Sequence, residues 1–248
     1  MGFLGTNTPG NYENSYGFAV SKEPSGPWVK VKNLCPIYDF YEANPDYVYP
    51  GHDDPNYSLW GSGQACLVST DKKSKVLVFD TGRSTTGQMC ELWDFSNLNN
   101  PNMIWRSEVS NRGMFDLEGN RDTICNAHLV YDSTLKCFYM LSDVHPFDVS
   151  VTPDNLPTET YISMINDFES KNIGDCFSNE KAVWAHLGSI SPDATGFPKN
   201  SNACFERDPY GWMIQKDSID ILYSAVPYGV SSNWIFSFRI YRMKFMFK

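Results

Sequence analysis

Short apolar runs separated by clusters of Gly, Pro, Asn and Asp recur along the whole chain, and long helical patterns are nearly absent. Within the runs, apolar and polar positions alternate with the period of two that is typical of β-strands. In the final run the alternation changes phase near Tyr241–Arg242, which predicts a bulge or a shared edge. We predict an all-β protein with strands at YGFAVS (16–21), QACLVST (64–70), SKVLVFDTG (74–82), AHLVYD (127–132), KCFYMLSD (136–143), TYISMIN (160–166), IDILYSAV (219–226) and WIFSFRIYRMKFMF (234–247).

A weak internal repeat organises these strands. Its unit is a strand, a turn and a stronger strand, followed by a third strand-like run and a variable loop. The unit occurs as QACLVSTDKKSKVLVFDTG, NAHLVYDSTLKCFYMLSD and NACFERDPYGWMIQKDSIDILYSAV, and the opening YGFAVSKEPSGPWVKV has the pattern of the last two strands of an earlier unit. Repeats of this spacing are typical of β-propellers. We predict one propeller domain over residues 1–248, with four or five blades and an incomplete or poorly visible first blade.

Composition and charge narrow the classes of partner. The 248 residues carry a net charge of −9 without a basic cluster, so nucleic acid and acidic membrane surfaces are not expected. No apolar run approaches the roughly 20 residues of a membrane span. The N-terminal MGFLGTNTPG lacks the features of a signal peptide, so we expect that the chain is intracellular, or that a leader was removed or never included. Aromatic residues reach 15%, which suits packing between sheets and also the apolar faces of sugar rings.

The seven cysteines and four histidines give no metal motif. No pair of cysteines has C-x-x-C spacing, and no pair of histidines has H-x-x-x-H spacing. Cys66 and Cys137 lie in apolar strand-like runs, where a buried thiol is the default, and disulfides stay open. We expect no cofactor, and we leave open a structural calcium ion in the central channel.

Four sequence blocks follow one another in a recognisable order. The first is YGFAVSKEPSGPWVKV, whose Ala19, Ser21, Pro24, Gly26, Pro27 and Trp28 fit an A-x-S-x-x-P-x-G-P-W unit. The others are GSGQACLV (61–68), NAHLVYDSTLKCFYMLSDVHPF (126–147) and GFPKNSNACFERDPYG (196–211). These blocks resemble blade starts and a rim block of the propeller glycoside hydrolases of families 43 and 62 and their secreted relatives. The resemblance implies a five-bladed propeller in which the first strand of each blade lines the central channel.

The resemblance also implies where catalytic groups would lie. Glycoside hydrolysis usually needs two carboxyl groups, and in the related enzymes these come from the starts of different blades. The third block has Ala127-His128 where that pattern has Val-Asp, so a base at this place would be His128, and the alternative is a structural histidine. The candidate catalytic residues are Asp53, Asp54, Asp80, Glu118 and His128. Asp53 and Asp54 also fit an Asx-Pro turn, and Glu118 fits a turn with Gly119 and Asn120.

The candidate substrate-binding residues are Trp60, Gln64, His145, Asn200, Asn202 and Arg207. Most of them precede or begin inner strands, whereas His145 stands in an extended stretch before Pro146 and could contact substrate or bind a metal with acids nearby. Asn and Arg side chains can hydrogen-bond sugar hydroxyls, and Trp can hold a ring by its apolar face. The alternative is that Asn200 and Asn202 cap local backbone and that Arg207 pairs with Asp208 or with a neighbouring blade.

Two hypotheses for function follow from these residues. One is a glycoside hydrolase acting on arabinoside or xyloside side chains of plant or microbial polysaccharide outside the cell, where an Asn56-Tyr57-Ser58 sequon would be glycosylated. The other is a non-catalytic propeller that binds glycan or another partner. Two carboxyl groups in one pocket would favour the enzyme, and one or none would favour the binding protein.

Overall fold

The computed structural model describes residues 2–7, 14–30, 66–72, 77–83, 88–94, 96–97, 102–120, 124–144, 159–165, 176–177, 182–226 and 239–247. These residues form four antiparallel sheets and one short helix. The first sheet, in the order β1-β2-β3, contains β1 (Gly2–Asn7), β2 (Asn14–Val20) and β3 (Val29–Lys30). The second, in chain order, contains β4 (Cys66–Val68), β5 (Leu77–Arg83), β6 (Gln88–Asp94) and β7 (Asn102–Val109).

The remaining two sheets are also built from strands that are consecutive along the chain. The third contains β8 (Cys125–Asp132), β9 (Cys137–Asp143), β10 (Thr160–Ile165) and β11 (Trp184–Ile190). A four-residue helix, α1 (Pro192–Thr195), then leads into the fourth sheet, which contains β12 (Lys199–Phe205), β13 (Ser218–Val226) and β14 (Arg239–Met246). Each sheet is a meander of consecutive strands, which agrees with the repeat found in the sequence.

The first strands of three sheets lie side by side and run in one direction. β4 contacts β8, and β8 contacts β12. The backbone N–H of Phe205 in β12 meets the His128 side chain in β8, and Tyr131 forms a parallel bridge with Trp212 further along. Parallel inner strands around one axis are the arrangement of propeller blades. The number of blades and the closure of a ring stay predictions, and Gln64 lies outside the described residues.

The third sheet has apolar neighbours on both of its faces. Phe138 and Met140 of β9 pack in a core cluster with β4 and β6, whereas Tyr139 and Leu141 pack in a second cluster with β12 and β13. Every residue of β9 is buried. This explains why the run KCFYMLSD is apolar almost throughout instead of alternating strictly, since both faces of the strand meet protein.

The bulge predicted at Tyr241–Arg242 is wrong. β14 pairs with β13 in continuous register from Arg239 to Met246. Tyr241 and Phe245 lie on the partly buried face, whereas Ile240 is 77% exposed. Because the apolar Ile240 lies on the exposed face, the pattern of apolar residues shifts by one position in the sequence although the strand pairing is regular. Among the described residues, no helix has both the length and the hydrophobicity that a membrane span requires.

Candidate functional site

A buried carboxylate, Asp143, joins the third and fourth sheets at the end where their inner strands begin. Its Oδ1 accepts a hydrogen bond from Thr160 Oγ1 at 2.6 Å, and its Oδ2 accepts one from Asn126 Nδ2 at 2.8 Å. The backbone N–H of Asn202 in β12 donates to both oxygens, at 3.2 and 3.1 Å. We call Asn126, Asp143, Thr160 and Asn202 the Asp143 cluster.

The two asparagines of the Asp143 cluster have the same unusual backbone. Asn126 has φ 50° and Asn202 has φ 51°, in the left-handed region that few residues other than glycine enter without strain. Each lies in a bulge where an Asn-Ala pair opposes a single residue of the next strand, between Cys125 and His128 in β8 and between Ser201 and Cys204 in β12. Asn202 is exposed and Asn126 is partly exposed, so both side chains are within reach of solvent at this end of the axis.

Asn200 has a local structural role. It is fully buried, its Nδ2 donates to the Phe197 carbonyl at 2.9 Å, and its Oδ1 accepts from Thr195 Oγ1 at 3.0 Å. Thr195 ends α1, which begins at the N-cap Ser191. Asn200 thus fixes the connection from β11 to β12, as the capping alternative proposed. Binding of substrate by Asn200 stays a prediction.

His128 links two inner strands, β8 and β12, by a hydrogen bond. Its Nδ1 accepts a hydrogen bond from the backbone N–H of Phe205 at 3.2 Å. Burial, reinforced by the positive charge of Arg207, lowers the pKa of His128 from 6.5 to about 3. The ring is therefore neutral at physiological pH and has no proton to spare as a general acid. Its proposed role as a catalytic base would need a group far more basic than this one.

Arg207 follows the last residue of β12 by two positions, whereas Asn202 is the fourth of the seven residues of that strand. The two residues make different contacts. The Arg207 guanidinium donates to the carbonyl oxygen of Leu67 in β4 and to that of Leu129 in β8, the latter at 2.9 Å. These contacts agree with the alternative that Arg207 pairs with a neighbouring blade. Its role in binding substrate stays a prediction.

The turn after β12, residues 207–212, extends this contact and links three sheets. We call these residues the clamp. Trp212 Nε1 donates to the Ser69 carbonyl at 2.6 Å, and Lys72 forms an ion pair with Asp208 and lies 4.4 Å from the Trp212 ring centroid. Burial opposes the charge of Asp208, but hydrogen bonds from Lys72 and from backbone N–H groups outweigh it and lower its pKa. Arg207 was predicted from the sequence to bind substrate or to pair with a neighbouring blade, whereas the contacts of Trp212 and Lys72 were not predicted.

Gly211 is required within the clamp. Its φ is 81°, its backbone carbonyl accepts from the N–H of Tyr131 at 2.8 Å, and a Cβ there would overlap the Leu67 carbonyl. Only glycine provides both the positive φ and the close approach of two backbones.

Glu118 lies in an exposed turn. Its backbone N–H donates to Asp116 Oδ1 at 2.9 Å, and the Asn120 N–H donates to the same oxygen at 2.7 Å. This agrees with the turn alternative. Asp80 lies in β5 opposite Glu91, and its side chain is outside the described part of the chain. Also outside it are Asp53, Asp54, Trp60, Gln64 and His145, so all these catalytic and binding roles stay predictions.

Asp143, Asn126 and Thr160 were not among the site residues predicted from the sequence. Two signals could have found them: the Asn-Ala pair recurs at the same place in two repeats, and Asp143 ends an otherwise apolar run. Within the described residues, no group of three His, Cys, Asp or Glu side chains is placed to hold a metal ion. The cluster can offer side-chain amide groups to a polar, uncharged ligand.

No protein-family model matches the sequence, and a search of curated proteins also found no match. Among solved structures, an exo-1,5-α-L-arabinanase from a bovine ruminal metagenomic library is similar, with a TM-score of 0.54 and 11% identity over 98% of this chain and 68% of that one. A GH62 hydrolase in complex with xylotriose has a TM-score of 0.54 and 11% identity, over 94% and 67% of the two chains.

An α-L-arabinofuranosidase from Podospora anserina in complex with cellotriose has a TM-score of 0.51 and 11% identity, over 98% and 68% of the two chains. At such low identity these similarities establish the fold alone. The chain has the fold of the propeller glycoside hydrolases.

Proposed function

We propose that the protein binds oligo- or polysaccharide at the end of the axis that carries the Asp143 cluster and hydrolyses arabinoside or xyloside linkages. The observation that carries this proposal is the similarity of nearly the whole chain to an arabinanase and to a GH62 hydrolase. Exposed amides beside the starts of inner strands are suited to sugar hydroxyls, because each amide both donates and accepts. We place the activity outside the cell, in one propeller domain that needs no cofactor.

The reaction would need a carboxylic acid to protonate the leaving oxygen and a carboxylate to act as base or nucleophile. Asp53, Asp54 and Asp80 are the candidates, since they precede or follow the inner strand of the second sheet in sequence. Asp143 is not proposed for proton transfer, because donors from three residues already occupy its oxygens. The neutral His128 is not proposed as the acid.

The test is turnover of arabinosides, xylosides and galactosides by the purified protein and by Asp53→Asn, Asp54→Asn and Asp80→Asn. Loss of a general acid or base should lower the rate by about 10²–10⁴-fold in at least one variant. Glu206→Gln is the matched control, because Glu206 is an exposed carboxylate that pairs with Arg242 away from the axis end. Turnover that survives all three aspartate substitutions would contradict these assignments.

A second candidate function is glycan binding without catalysis. It is favoured by one observation: within the described residues, the Asp143 cluster contains a single carboxylate, and that carboxylate is held by hydrogen bonds. A glycan array run beside the turnover assay separates the two functions. Binding without turnover would establish the second, and silence in both assays would refute carbohydrate recognition altogether.

A further inference from the structure

We propose that Asp143 is a positioning residue that holds Asn126 and Asn202 in their left-handed conformations, so that the Asn202 amide hydrogen-bonds a sugar hydroxyl at the axis end. This inference rests on the proposed function. It assigns ligand binding to the exposed Asn202 side chain and a supporting role to the buried carboxylate of Asp143.

The first argument is the way in which Asp143 connects two sheets. It ends β9, the second strand of the third sheet, yet it accepts a hydrogen bond from the backbone of the fourth sheet. An ionised carboxylate accepts at both oxygens and makes stronger hydrogen bonds than a neutral acceptor does. Thr160, at the start of β10, fixes the carboxylate from its own sheet. The position of Asn202 is thus set by its neighbour in space as well as by its own strand.

The second argument is the backbone of the two asparagines. A bulge takes each out of the regular ladder, and a left-handed conformation outside glycine, which asparagine tolerates better than most residues, is stabilised by surrounding contacts. The Asn126 conformation is held by a hydrogen bond from its side-chain Nδ2 to Asp143. The Asn202 conformation is held by a hydrogen bond from its backbone N–H to the same carboxylate. Strained residues of this kind cluster at ligand sites.

The third argument is the choice of residue at position 202. Glycine would adopt φ 51° without strain, so backbone geometry alone does not call for an asparagine. The Asn202 side chain is exposed, whereas its backbone N–H is anchored on Asp143. An exposed amide on an anchored backbone is pre-organised for a ligand and loses little freedom on binding.

The experiment measures binding of xylotriose, cellotriose and 1,5-α-arabinotriose by calorimetry. Asn202→Gly keeps the left-handed backbone and removes the amide, and Asp143→Asn removes the charge at constant shape. Each should lower affinity about ten-fold, since each removes a ligand hydrogen bond or its support. The double variant should lose less than the product of the two single losses, because Asp143 acts through Asn202.

Asp132→Asn is the matched control. Asp132 is also buried, but its Oδ1 accepts from the backbone N–H groups of Thr134 and Leu135 at the far end of β8. It should lower thermal stability and leave affinity unchanged. A second readout is the backbone amide resonance of Asn202, which should move upfield in Asp143→Asn when the charged acceptor is lost.

The outcomes separate the inference from the proposed function. If the wild-type protein binds none of the three sugars, the proposed function fails and the inference falls with it. If the wild type binds and both single variants bind equally well, only the inference is overturned. Losses that multiply in the double variant would also overturn it. If Asp143→Asn does not fold, unchanged affinity in Asn202→Gly and Asn126→Gly would overturn the inference.

Discussion

Acidification should destabilise the protein through His128. The folded protein holds this pKa at about 3, whereas the unfolded chain has the ordinary value of 6.5. Below pH 6.5 the unfolded state therefore binds a proton that the folded state excludes, and stability falls with pH until about pH 3. Each pH unit in this window costs about 1.4 kcal/mol, which gives about 2 kcal/mol at pH 5. The ring is partly exposed, and solvent screening reduces this to about 1–2 kcal/mol.

The assay is urea unfolding of wild type and His128→Asn at pH 7 and pH 5. The asparagine Oδ1 can replace Nδ1 as acceptor for the Phe205 N–H, and it does not titrate. The variant should be the less stable protein at pH 7, because its contact with the Phe205 ring is lost. The stability difference should narrow by about 1–2 kcal/mol at pH 5.

His186→Asn is the control for this assay. Burial lowers the pKa of His186 while the charge of Glu159 raises it, so the net effect has the same sign. The residue is exposed, so its pH-dependent contribution should be smaller than that of His128. Stability curves for wild type and His128→Asn that stay parallel from pH 7 to pH 5 would refute the reasoning.

Two further predictions concern the clamp, and thermal melting measures both. Gly211→Ala should lower the free energy of unfolding by about 3 kcal/mol or more, because its φ is positive and the new Cβ would overlap a backbone carbonyl. Gly119→Ala, at φ 86° with open space around it, should lower the free energy of unfolding by about 1 kcal/mol. Equal losses in the two variants would contradict the overlap at Gly211. Trp212→Phe should cost about 1–3 kcal/mol because the Ser69 carbonyl loses its donor. Trp28→Phe, at a 45% exposed ring, should cost little, and comparable losses would refute a special role for Trp212.

The most apolar strands could be predicted from the sequence because an antiparallel meander needs only local information, whereas β1, β6, β7 and β11 were not predicted. The run AHLVYD (127–132) falls within β8, and KCFYMLSD (136–143) coincides with β9 apart from its first residue. Periodicity and turn residues decide where such strands begin and end, and consecutive strands pair with each other.

The candidate site was harder to predict because its partners are distant along the chain. Arg207 contacts carbonyls of residues 140 and 78 positions away, and Asp143 reaches Asn202 across 59 positions. Asn202 and Arg207 are close in sequence, but the Asn202 N–H bonds Asp143 whereas the Arg207 guanidinium bonds the carbonyls of Leu67 and Leu129. Nearness in sequence therefore suggested one binding group where the structure has two separate sets of contacts.

Two regions along β12 make different kinds of contact. At the clamp, donors from Arg207 and Trp212 end on backbone carbonyls of other sheets, so these side chains are used within the protein. Around Asn202, a buried carboxylate holds two left-handed backbones whose side-chain amides are within reach of solvent. Because β8 and β12 lie side by side, their two asparagines reach the same carboxylate. Strain in one region can then be offset by contacts in the other, which is the arrangement expected of the ligand site that we propose on this scaffold.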